Sequence, residues 1–150
     1  MATDGLGASD QRPTANSSGT KDRSAKNRLV IAVLTLLTAS VWLLFGLGFK
    51  VFGLVPRHRM IVAALFGEAA AGPLTVAIGA GETALALWIL SGFYPRLCAA
   101  FQTVAIAAMN TLEITFAKNL LLSPILMVVA NTGFLVAVWY RAIKISELRS

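Results

Sequence analysis

Four long apolar runs, separated by short polar breaks, set the pattern of this chain. Residues 29–49 form 21 positions without a charge. Residues 74–94 carry one charge, Glu82; residues 97–117 carry one, Glu113; residues 124–140 carry none. Each run is long enough, as a helix, to cross a hydrocarbon core of roughly 30 Å. A cleavable signal core spans only about 7–15 residues, so 29–49 is read as a first transmembrane helix that also targets the protein.

The breaks carry their own signals. Pro73 suits the first turn of the second helix. Ser123 before Pro124 is placed to cap the fourth, and Trp139 and Tyr140 suit an interfacial belt at its far end. Between the first two spans, residues 50–72 hold an apolar piece, 60–67, too short to cross. It is expected as a short helix on the membrane surface or tucked against the bundle. Residues 1–28 are rich in Ser, Thr, Asn, Asp and Gly and are expected as a disordered cytoplasmic tail. The fold class is therefore all-α membrane: a four-transmembrane-helix bundle over residues 29–150, with a short helix between its first and second spans.

Composition agrees with lipid as the main solvent. Hydrophobic residues make up 57%, charged residues 13%, and the mean hydropathy is +0.73, too little charge to cover a soluble domain. The formal charge of +6 does not indicate nucleic acid, because the basic residues flank apolar runs and do not interleave with aromatics. They set topology instead. Lys21, Arg23, Lys26, Arg28, Arg96, Arg141, Lys144 and Arg149 fall on one side, against Lys50, Arg57, Arg59 and Lys118 on the other. Both termini are thus expected in the cytoplasm of a multi-pass cell-membrane protein.

Polar groups at membrane depth are costly and point to function. In this topology Glu82, Asn131, Asn110 and Glu113 lie at depths of roughly 12, 10, 10 and 6 Å from the outer face. Side chains from three helices thus share one layer. Asn110 and Glu113 are neighbours on one helix face. Thr75, Gly79, Thr83 and Ala86 make a small-residue face around Glu82 that admits another helix, or a ligand, closely. No basic residue is expected at the depth of Glu82, which implies a neutral carboxyl. The plain alternative is that these groups only hydrogen-bond neighbouring helices, with Glu113 hydrated or paired to Lys118.

Other chemistries lack parts. His58 is the sole histidine and Cys98 the sole cysteine, so bis-histidine haem ligation, zinc sites of Cys and His type and an intrachain disulfide are all excluded. No nucleotide-binding or serine-hydrolase motif is present. No cofactor is evident from the residues alone. His58, between Arg57 and Arg59, reads as a solvated basic turn or as a site for an anionic lipid or quinone headgroup.

Several short motifs, in order, resemble the DoxX-like family: Phe49-Lys50-Val51, Val55-Pro56-Arg57-His58-Arg59 with Ile61-Val62, Ile78-Gly79 with Glu82, Trp88-Ile89-Leu90-Ser91-Gly92, Met109-Asn110-Thr111-Leu112-Glu113, then Asn119 to Pro124 and Asn131. The match covers roughly residues 40–142. It implies a four-helix integral membrane protein of bacterial inner-membrane type. The wider family's name-giving member is a subunit associated with quinone-linked respiratory oxidoreduction, but the match speaks for architecture far more than for function. The basic first loop and the Glu82 layer make a lipid-accessible site for a polar headgroup, so the first functional reading is a non-catalytic or accessory subunit associated with quinone-linked redox complexes, with a membrane redox partner or a homo-oligomer. Lys50, Arg57, His58, Glu82, Asn110 and Glu113 occupy motif positions, and with Asn131 they are the candidate ligand-binding residues; no catalytic role transfers. The alternative function is a small proton-linked transporter acting as an oligomer, with Glu82 as titrating group. The orientation has a direct test: a reporter active only outside the cytoplasm should be silent after Ser150 and active when inserted near Val55, and the reverse pattern would overturn the depth argument with it.

Overall fold

In the computed structural model, residues 17–116 and 123–149 are described, with side chains from Lys21 onward. The described residues are helical throughout apart from short turns: α1 (Ser17–Leu43), running on into a π-helical segment (Leu44–Val51), then α2 (Pro56–Phe66), α3 (Glu68–Ser91), α4 (Pro95–Phe116) and α5 (Pro124–Arg149). Among the described residues, four helical stretches are long and apolar enough to cross a membrane, Lys21–Val51, Glu68–Ser91, Pro95–Phe116 and Pro124–Arg149. α2 is the short helix expected between the first two spans.

The chain divides into two units, Met1–Val30 and Ile31–Ser150. In the first, helix already exists from Ser17, within the stretch assigned to the polar tail. There Lys26 and Asp22, one turn apart, form an exposed ion pair at 3.5 Å. Residues 1–16 lie outside the described residues. The second unit holds the buried core that packs the membrane helices together.

Helix ends follow local chemistry. Pro56, Pro95 and Pro124 open α2, α4 and α5, where a missing N–H costs nothing. Ser123 caps α5 as expected, its Oγ accepting from the Leu126 N–H at 3.3 Å. α3 departs from expectation at both ends. It starts at Glu68, so Pro73 lies inside the helix, not in its first turn. A proline there withholds one N–H, and one turn of helix is held by the Thr75 hydroxyl donating to the Ala71 carbonyl at 2.6 Å. α3 stops at Ser91, three residues before Tyr94, because Gly92 adopts φ 65° and ends it with a left-handed cap.

Glycine makes the crossing between the π segment and α3 a close one. A Cβ on Gly46 would lie 2.7 Å from the Gly79 carbonyl oxygen and 2.8 Å from Glu82 Cβ. A Cβ on Gly79 would lie 2.7 Å from the Gly46 carbonyl oxygen and 2.8 Å from Lys50 Cβ. Each backbone therefore fills the space the other's side chain would need. Around this crossing, Ala39, Trp42, Leu85, Ala86, Ile89, Cys98 and Ile106 form the main core. A second cluster, Ala99, Val138 and Ala142, joins α4 to α5.

Polar ties hold the half of the bundle near the α3 C-terminus. The buried Trp42 donates its indole N–H to Gln102 at 2.9 Å, and Gln102 donates to the Cys98 carbonyl at 3.3 Å. Arg141, only 2% exposed, donates to Thr35 Oγ1 at 2.7 Å and to the Ile89 carbonyl. Arg149 donates to the Gly92 carbonyl at 2.8 Å. Both guanidinium groups thus sit at the carbonyl end of α3, where the helix dipole favours a cation. Gly46→Ala and Gly79→Ala should each lower stability by about 1–3 kcal/mol through overpacking against backbone. Gly81→Ala and Gly133→Ala, which meet nothing within 4 Å, should not; thermal melts of the four variants in detergent test this, and equal melting temperatures would refute the crossing.

Candidate functional site: a polar cavity in the helix bundle

The glycine crossing has a chemical consequence. Gly46 lies against Glu82 and Gly79 against Lys50, so the crossing sets those two side chains face to face. Lys50 Nζ donates to Glu82 Oε1 in an ion pair whose side chains are 8% and 6% exposed. A cation therefore does reach the depth of Glu82, which corrects the sequence-based expectation and removes its reason for a neutral carboxyl. Lys50 does not belong to the loop: it is the next-to-last residue of the π segment, inside the first span. A buried ion pair recovers its desolvation only with good geometry and with its remaining polar sites satisfied. Here they are not all satisfied, because Glu82 Oε2 is buried without a hydrogen-bond partner.

Glu82 belongs to the wall of a cavity of about 450 Å³. Val41 and Trp42 of α1 and Phe45 of the π segment supply one apolar side. Ile106 and Met109 of α4, with Met127, Ala130 and Phe134 of α5, supply the other. Lys50, Arg57, His58, Glu82, Asn110, Glu113 and Asn131 supply the polar groups. All seven residues singled out in the sequence thus meet on one cavity, contributed by the π segment and α2 to α5. Mostly apolar walls with a few convergent polar groups are the usual make-up of a small-molecule site.

The polar groups differ in how far they are used. Asn131 Nδ2 donates to Asn110 Oδ1 at 2.6 Å, tying α5 to α4. Among the described residues, three buried side-chain atoms have no partner: Arg57 Nε, His58 Nδ1 and Glu82 Oε2. Glu113 reaches the wall half-buried; Lys118, its suggested partner, lies outside the described residues. α2 brings Arg57 and His58 inward and leaves Arg59 outside, where it bonds the exposed Glu68 at 2.8 Å. His58 is therefore not in a solvated turn. Its ring stacks on Phe49 at 5.6 Å and meets the edge of Phe45 at 6.1 Å. Burial first, then the nearby Lys50 and Arg57 charges, push its pKa below the ordinary 6.5. The imidazole is accordingly neutral near pH 7, with one nitrogen a donor and the other an acceptor.

Sequence reasoning missed the aromatic and methionine walls, and it missed Gln102 and Arg141. Gln102 is visible in the sequence as an uncharged polar residue at mid-span. Arg141 reads there as one more flanking charge, and only the fold shows it turned inward.

An all-helical bundle with four membrane-capable helices and a polar cavity between them defines a multi-pass integral membrane protein. Its family is equally clear: the chain belongs to the DoxX-like family, whose profile matches residues 39–139 and so takes in all seven polar cavity residues. No curated protein and no solved structure matches the chain. Because the Lys50–Glu82 pair is buried, Lys50→Met should cost about 3–5 kcal/mol by stranding the carboxylate. Lys50→Met combined with Glu82→Leu should recover most of the loss. Melting temperatures of the two single and the double variants check the coupling; additive losses would show that the two side chains act independently.

Proposed function

We propose that this protein is a non-catalytic membrane subunit that holds the ring of a lipophilic, quinone-type molecule in the bundle cavity. The observation that carries this reading is the cavity of about 450 Å³ itself, whose mostly apolar and aromatic walls are broken by a few polar residues, Lys50, Arg57 and His58 among them. A ligand with polar oxygens on a flat apolar ring matches both kinds of lining. The residues fit such a group. Arg57 and Lys50 donate to ring oxygens, the Trp42, Phe45 and Phe134 rings flank a planar headgroup, and the exposed apolar helix faces give a lipid-borne tail its path. Bound there, a quinone would supply electron-carrying chemistry; the chain's own residues bind and orient it and keep water from its ring. The protein would work in the cell membrane with both termini cytoplasmic, beside a membrane redox partner or a second copy of itself.

The purified full chain should carry quinone in its extracted-lipid mass spectrum. A short-chain quinone added in nanodiscs should quench the fluorescence of Trp42 saturably. Arg57→Gln should weaken that binding about tenfold or more, the usual worth of a hydrogen bond to a charged group, without lowering the melting temperature. Non-saturable quenching, or equal affinity in the variant, would overturn the proposal. A Glu82-dependent collapse of a pH gradient in proteoliposomes would instead favour the proton-linked transporter.

A further inference from the structure

We propose that the bound molecule enters the cavity sideways from the bilayer, through the seam between α1 and α5, and that its alkyl tail stays in that seam. The inference rests on the quinone-type reading and adds the route and the resting place of the tail, which that reading leaves open.

The seams of the bundle are not closed alike. At the end that carries the π segment, that segment and α3 are locked by the glycine crossing and by the Lys50–Glu82 pair. There α4 and α5 are tied by Asn110 and Asn131. α2 packs against the π segment, α3 and α4 and stops the gap on its side. The ties between α1 and α5 lie farther from this end. Arg141 donates to Thr35 at 2.7 Å, and the Trp42 and Phe134 rings meet edge to face at 6.4 Å. From Trp42 toward the π segment, no hydrogen bond or ion pair among the described residues joins α1 to α5.

Residues on both sides of this gap face the cavity and the outside at once. Val41 and Phe45 line the cavity and are 38% and 41% exposed. Ala130, on the α5 side, lines it and is exposed as well. Lining residues so exposed stand at an opening. Phe45 and Ala130 each lie six residues from a helix end, Val51 and Pro124, which is a depth of roughly 9 Å. The opening thus falls within the hydrocarbon core, where acyl chains and not water meet it.

The two ends of the cavity differ in chemistry as a tailed ring requires. Val41, Phe45 and Ala130 at the opening are apolar, whereas Lys50, His58 and Glu82 are buried. Phe45 is backed by Phe49 and His58, whose rings it meets edge to face at 5.0 and 6.1 Å. The room left in the seam therefore depends on the residue across from it, and that residue is an alanine. Lipid solvates a tail as well as apolar helices do, so the tail adds little affinity. The seam matters because it leaves the tail a way out while the ring is held inside.

The test uses the full chain in nanodiscs and a decyl benzoquinone whose tail ends in a diazirine. Irradiation should label peptides of α1 and α5 around Val41, Phe45 and Ala130, and excess decyl benzoquinone should displace the label. Displaceable label on α2 or α3 instead would overturn the inference. Ala130→Leu narrows the seam. It should weaken decyl benzoquinone about tenfold, the scale of overpacking a filled gap. The same ring with a methyl in place of the tail should keep its affinity. Ala80→Leu, exposed on α3 and off the cavity wall, should change neither. Equal losses for the two quinones in Ala130→Leu, or no loss for either, would overturn the inference. So would an oligomer that Ala130→Leu dissociates without a tail-dependent loss, which would assign the seam to a second copy of the chain. If neither quinone binds the native chain, the quinone-type reading fails and takes this inference with it; if both bind and the label lies elsewhere, only the inference fails.

Discussion

Two glycines in contact, Gly46 and Gly79, govern the chemistry of this bundle. In lipid no hydrophobic force draws apolar helices together, and association relies on close packing and on polar contacts between helices. Here the two backbones meet carbonyl to α-carbon, at a distance that any Cβ would abolish. One turn along from each glycine stand the Lys50 ammonium and the Glu82 carboxylate. Wider separation would leave two charges unpaired at low dielectric, where each is expensive. The glycine contact and the ion pair are therefore one device: the first brings the charges within reach, and the second adds an attraction that packing alone does not supply.

The wall of the cavity is anchored from the side away from the pair. Trp42 lines the cavity while its indole N–H is fixed by Gln102 of α4. Arg141 binds Thr35 of α1 and the last turn of α3 at once, so α1, α3 and α5 are joined by a single guanidinium. These contacts leave little freedom at that end of the bundle. α2 makes a different kind of wall. It is short, lies between glycines with positive φ, Gly53 and Gly67, and closes the cavity through Arg57, His58 and Ile61. The site thus draws its walls from all four spanning helices and from one connecting helix.

Much of this architecture is legible in the sequence because lipid imposes simple rules. Long uncharged runs favour spanning helices, and intramembrane Glu and Asn favour an inward direction. The depth argument groups Glu82, Asn110, Glu113 and Asn131 in one layer, and the fold brings all four to one cavity. The same argument fails for Lys50, because it takes a charge to end the span at Phe49, whereas the π segment carries the helix on to Val51. It fails for the direction of Arg141, since positive charge near a membrane surface looks the same whether it faces water or a neighbouring helix. Helix ends are misplaced where hydropathy alone is weighed against Gly92 and Pro73. The crossing of Gly46 on Gly79 is half visible: the small-residue face of α3 shows in the spacing, but its partner does not, since nothing local distinguishes Gly46 from Gly48 until the helices are docked.

The difference between a polar residue that glues helices and one that serves a ligand can be read from how its atoms are used. Gln102 is 1% exposed; its oxygen accepts from Trp42 and its nitrogen donates to the Cys98 carbonyl. It is off the cavity wall, and nothing about it requires another molecule. Glu82 is nearly as buried, yet only one of its two oxygens is bonded, and the residue lies on the cavity wall beside an arginine and a histidine each with one unbonded nitrogen. The Glu82 charge is required by packing as well, because a neutral side chain there would leave the buried Lys50 ammonium without a counter-charge. What sets Glu82 apart from Gln102 is its place: it shares a cavity wall with Arg57, His58, Asn110, Glu113 and Asn131, a convergence of polar side chains that a single helix crossing does not need.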